Sequence, residues 1–191
     1  EKEQALAACH DAVGAAMSRA AAAPPEARAL IEALAVRYPQ TEVPDDGVLA
    51  SWERAYADAM IPVYEAYGDD PDIAALYIDS QIMLTPWQIY DVEKRAPNPE
   101  AREREIQAAL ERSLAGTGAD HIGVLHFDIH VQEMSPTPEE ALPSARRLQE
   151  LAPPDAGHLQ HMPSHIHALV GDFDEATRCS RLSMATDKRF M

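Results

Sequence analysis

The chain has 191 residues, 46% of them hydrophobic and 25% charged, with a formal net charge of −16. That balance belongs to a folded globular protein and excludes wholesale disorder, while so acidic a surface argues against nucleic acid and anionic membranes as partners. No apolar run reaches the roughly 18–20 residues of a membrane span, and scarce glycine, few aromatics and missing β-branched alternation exclude sandwiches, barrels and parallel sheets.

The predicted fold class is all-α, a solenoid of helical pairs (an α-α superhelix), taken as a single helical-repeat domain over residues 1–191. The alanine-rich stretch Ala12 to Ala23 lacks a basic leader and does not read as a signal peptide. The chain begins at Glu1 rather than at methionine, which suggests that native targeting signals precede it. Pro24-Pro25-Glu26 opens a helix that runs to Tyr38-Pro39. Residues 39–47 form an irregular connection with two prolines and an Asp-Asp-Gly turn. Tyr56, Met60, Val63, Tyr64 and Tyr67 mark the next helix, which Pro62 is expected to bend or interrupt.

Asp70-Pro71-Asp72 supplies a cap, a proline at the first helical position and an acid at the positive helix end. A second irregular connection covers residues 85–98, with room for a short helix after Thr85-Pro86-Trp87. Asn98-Pro99-Glu100 repeats the capping grammar, and Ile106, Leu110 and Leu114 then line one helix face. Thr137 and Glu140 form a predicted capping box around Pro138. Helix signals thus recur at intervals that scatter around the ~34-residue tetratricopeptide period. Gly157 to Asp187 reads as a helix to Val170, a turn at Gly171-Asp172-Phe173, and a second helix. No polar capping helix follows, so the chain is expected to be a fragment of a longer array.

Seven of the 8 histidines lie between His121 and His167. At about 100° per residue, His126, His130 and Glu133 share a stripe roughly 60° wide, and so do His158, His161 and His165 if their segment is one helix. Pro163 leaves an alternative, in which it starts a helix and His158 and His161 occupy the preceding turn. His121 and His167 fall outside both stripes. Two antiparallel helices can bring such stripes face to face, as bundles that bind metal do with i, i+3 and i, i+4 ligands. Imidazole nitrogen with little oxygen and no thiolate suits copper or iron, with zinc as a further option, in one or two ions, rather than calcium or magnesium. The bland alternative is a structural polar network.

Other residues carry less. Asp128, about 200° from His126, is expected to face solvent or act as a cap. Asp79, Trp87 and Tyr90 are candidates to line a pocket. Cys9 and Cys179 make no disulfide framework, which favours a reducing, cytoplasmic location.

Two runs also carry a resemblance: His126-Phe127-Asp128-Ile129-His130-Val131-Gln132-Glu133-Met134-Ser135-Pro136, and Ala156-Gly157-His158-Leu159-Gln160-His161-Met162-Pro163-Ser164-His165-Ile166. Together with Ala29 to Tyr38 and Pro86-Trp87, they resemble a group of tetratricopeptide-repeat-like proteins of bacteria and fungi. The resemblance implies a helical solenoid with further helices beyond Met191 and a site at the motif histidines and Glu133. Asp128 stands where that group often has an aromatic residue.

The expected function is a metal-dependent enzyme, an oxidoreductase acting on a small organic molecule in the concave pocket. His126, His130, His158, His161 and His165 are the expected ligands, and Glu133 either completes the ligand set or serves as a general base. The alternative is a protein-interaction scaffold whose histidines form a structural or zinc cluster and whose groove takes a peptide, a basic one given the charge.

Overall fold

A computed structural model describes residues 2–189. Its architecture is predominantly helical, as the composition predicts, and the chain divides after Gly68 into two units.

The first unit holds α1 (Lys2–Met17), a short 3-10 turn (Ala20–Ala22), α2 (Pro25–Arg37) and α3 (Asp46–Tyr67). Pro25 sits in the first turn of α2, where its missing N–H costs nothing. The Asp45 carboxylate caps α3 by accepting the Val48 N–H at 2.9 Å. Of the two effects expected of Pro62, an interruption does not occur: α3 continues through it. The turns on either side are anchored by Tyr56, Ala57, Met60 and Val63, all buried on one face. Burying each of the larger side chains contributes about 1.5–3 kcal/mol, enough to offset much of the lost backbone bond.

The second unit holds α4 (Pro71–Ile82), a β-ribbon of β1 (Tyr90–Asp91) and β2 (Ala96–Pro97), α5 (Glu103–Leu114), α6 (Ile122–Gln132), a 3-10 turn (Pro138–Ala141), α7 (Leu142–Leu151), α8 (Gly157–His161), α9 (Pro163–Leu169) and α10 (Phe173–Asp187). The strands are antiparallel, with Tyr90 opposite Pro97 and Asp91 opposite Ala96. Where a short helix was one option after Trp87, the chain makes this ribbon instead.

Asp70 caps α4 as read, accepting from Asp72 N–H at 2.9 Å. Asn98 does not cap a helix. Its Oδ1 accepts the Glu100 N–H at 3.0 Å while its Nδ2 donates to the Gln88 carbonyl at 2.7 Å, so the residue is tied to the ribbon and α5 starts only at Glu103. The Thr137–Glu140 capping box is also absent. Pro143 has no N–H to continue a helix from Pro138, and the segment stays a 3-10 turn before α7.

The largest side chains of one core cluster come from α6, α7, the α8–α9 junction and α9: Leu125, Ile129, Leu148, Met162 and Ile166. In α5, Ile106 and Leu110 are buried as predicted, and Leu114 packs partly against that cluster. Gly171 turns the chain from α9 into α10 at φ +84°, a conformation suited to glycine. Among the described residues no helix is long and apolar enough to cross a membrane.

Candidate metal centre

The histidine stripe of α6 follows from its core stripe. Leu125 and Ile129 bury on one face, so His126 and His130, one position further on, project along its edge. The helix is started by His121, whose Nδ1 accepts the Val124 N–H at 3.3 Å while its Nε2 lies 3.0 Å from Asp72 Oδ1. His121 is therefore a cap outside the cluster, as its position suggested.

The second run does not form one helix. It breaks at Met162, and Pro163 opens α9, the second of the two arrangements the sequence allowed. Met162 itself keeps helical dihedrals, φ −50° and ψ −42°, so the junction interrupts the hydrogen bonding more than the path of the chain. On α8, His158 meets α6, its Nε2 3.0 Å from His126 Nε2. Gly157 lies close against α10: a Cβ there would meet the Asp187 carboxylate, which would have to swing aside, while the Ser183 carbonyl stands at ordinary contact distance.

Ligand atoms of His126, His130 and His158 all lie within 4.8 Å of one another, so these three histidines could hold a metal ion. The rings of His126 and His130 are 4.6 Å apart, and His130 stacks 6.2 Å from His158. Beside the trio, His161 and His165 place their Nε2 atoms 3.2 Å apart. Glu133 joins the two groups. One carboxylate oxygen is 3.0 Å from His130 Nδ1 and the other is hydrogen-bonded to His165 Nδ1. The Ser164 hydroxyl stands 3.2 Å from His161 Nδ1.

The donor set fits a transition metal. Two imidazole nitrogens bound to one ion at ~2.0–2.1 Å stand about 2.9–3.4 Å apart for angles between square and tetrahedral, and both Nε2 pairs fall in that range. When His130 and His165 are neutral, Glu133 draws the proton to Nδ1 of each and leaves a lone pair on Nε2.

Burial, with the neighbouring imidazoles His130 and His158, pushes the His126 pKa down to about 4. Burial also lowers those of His158 and His161, so these rings are neutral and ready to bind at neutral pH. His165 moves up, chiefly through its hydrogen bond to Glu133. Burial works to raise the Glu133 carboxyl, but the hydrogen bonds from His130 and His165 prevail and bring it down to about 2.

Trp87 stands edge-on to His130 at 5.2 Å. It is held at φ +60°, a left-handed conformation that costs a non-glycine residue roughly 1–2 kcal/mol. A cavity of about 210 Å³ opens between Asp79, Ile82, Met83, Pro86 and Trp87 on one side and His126, Phe127, His130 and Met134 on the other. Asp79 and Trp87 thus line a cavity, as proposed from sequence. Tyr90 does not; its hydroxyl donates to Glu103 at 2.8 Å. Phe127 and Met134 escaped sequence reading, although both flank the motif histidines.

Asp128 neither faces solvent nor caps a helix. It is 5% exposed and accepts the Ser144 hydroxyl at 2.5 Å, because α6 turns that face toward α7. Burial pushes its pKa up. It borders a second cavity of about 430 Å³, whose lining contains no histidine. His167 is buried, with its Nε2 3.3 Å from Gln149 Oε1, and lies apart from the cluster.

Comparison of the chain with family models, curated proteins and solved structures finds no match to any of them.

Proposed function

We propose that this chain is a metal-dependent oxidoreductase that acts on a small organic molecule at the histidine centre of a tetratricopeptide-like helical array. The observation that carries the reading is the convergence of His126, His130 and His158, with the His161–His165 pair beside them. The two motifs that resemble the tetratricopeptide-like proteins supply all of these residues and Glu133.

Copper or iron fits the nitrogen-rich set and the redox reading; zinc fits the same donors without redox chemistry. One ion would be held by His126, His130 and His158, and a second by His161 and His165. A bound ion with an open position supplies Lewis acidity or an electron path to the substrate. The protein's own part is to keep His126, His158 and His161 neutral and to hold the imidazoles fixed and partly shielded from water. Glu133 has both oxygens engaged by imidazole Nδ1 atoms, which favours a positioning residue over a ligand or general base.

Elemental analysis of protein purified without a nickel column tests the reading. About one or two equivalents of copper, iron or zinc are expected. Less than a tenth of an equivalent of any transition metal, with no uptake on titration, overturns it.

A second reading is favoured by one observation: Leu169, Phe173, Leu182 and Met184 leave apolar surface exposed on α9 and α10. Here the chain is an interaction scaffold with a zinc clasp. Alanine at His161 and His165 would then lower stability and leave peptide binding as the sole activity.

A further inference from the structure

We infer that the cavity beside His126 and His130 takes a single-ring organic molecule bearing a neutral hydrogen-bond donor, a phenol in the simplest case. The inference rests on the reading of those histidines as a metal centre, which would give the molecule a reaction partner.

Size and wall chemistry carry it. Ile82, Met83, Pro86, Trp87, Phe127 and Met134 offer aliphatic, thioether and aromatic surface. Such walls favour a ring, through edge and offset aromatic contacts and sulfur–aromatic contacts. An apolar cavity of roughly 150 Å³ holds one benzene, so about 210 Å³ suits one ring with small substituents.

The polar groups of the lining narrow the choice. They belong to His126, His130 and Asp79. A carboxylate in the wall of a chain with net charge −16 disfavours an anionic ring. With the imidazole lone pairs committed to the metal, Asp79 is the acceptor for a hydroxyl, since a carboxylate has room for more than one donor.

Trp87 adds an independent indication. It is 64% exposed, so burial does not offset its left-handed backbone. Strain of this kind concentrates at sites that hold ligands. Its ring also lines a shallow depression that reaches Glu133 and His165, and thus walls the cavity on the side toward the second histidine pair.

The test uses the full chain, metal-free and loaded with zinc, which does not consume the probe. para-Fluorophenol and para-fluorobenzoate are titrated separately and followed by fluorine NMR. Saturable binding of the phenol is expected, at least tenfold tighter than the benzoate. Trp87→Gly should weaken the phenol at least fivefold while the helical circular dichroism is kept, since φ +60° suits glycine. Met83→Trp, at a half-exposed helix end, should block the cavity and weaken the phenol at least tenfold.

Failure of the phenol to saturate, equal binding of the benzoate, or indifference to both variants overturns the cavity assignment. Zinc uptake is measured on the same samples. Zinc binding without phenol binding removes the cavity proposal and keeps the metal centre. Phenol binding in protein that takes up no metal supports the cavity and removes the metal reading.

Discussion

The two units differ in how closely they follow regular geometry. Residues 2–68 hold helices with no positive φ among those described, and Pro62 is absorbed without a break. From residue 69 onward the chain departs from regularity repeatedly: a ribbon at 90–97, a helix broken at Met162, and the non-glycine residues with positive φ among those described, Trp87 and Arg95. Trp87 and the Met162 break adjoin the histidine cluster. Local rules are broken where side chains must converge, and the regular unit, which assembles no such cluster among its described residues, has no need to break them.

The largest change that would break this contrast is His130→Ala. It removes a member of the trio and the ring between His126 and Glu133, and should lower metal affinity by more than about 100-fold in chelator competition. Glu133→Gln comes next. It keeps the shape but weakens the hold on two imidazoles, and a loss of about 10–100-fold is expected. An unchanged affinity would mean that the carboxylate does not orient the site.

Met60→Ala sharpens the comparison from the other side. Met60 is fully buried in the first unit, so urea unfolding should show a loss of about 2–5 kcal/mol, with metal affinity in the folded protein unmoved. The smallest expected effect is at alkaline pH. Burial, outweighing a hydrogen bond from Gln107 and aided by Glu103, lifts Tyr90 from its ordinary value of 10.0 to about 12. Its contribution is complete below pH 10 and lost as pH rises from about 10 to 12. Melting temperature should fall over that window, and Tyr90→Phe should flatten the fall.

Much of this was legible in the residues themselves. The 100° step of a helix brings His126, His130 and Glu133 together with no tertiary information, because α6 carries no proline and ends only at Gln132. Asp70 could be read as a cap because its partners are its own next neighbours. Asn98 has the same grammar but a side-chain amide that also donates, and the Gln88 carbonyl claims it. His158 could not be placed, since Pro163 permitted two paths and packing chose between them. Asp128 was misread because its partner Ser144 lies on another helix. Nothing in a tryptophan announces a left-handed backbone.

The junction with α10 has a consequence of its own. Thr186 bonds the Pro154 carbonyl at 3.1 Å and Gln160 Oε1 at 2.8 Å, and the Asp187 end of the helix crowds Gly157. The five-residue α8 is too short to hold its own shape, so the last turns of α10 act as its splint. Damage there, some 26 positions from Gln160 in the chain, would be felt first as a loosened His158. A lesion remote in sequence would then reach the histidine trio through α8.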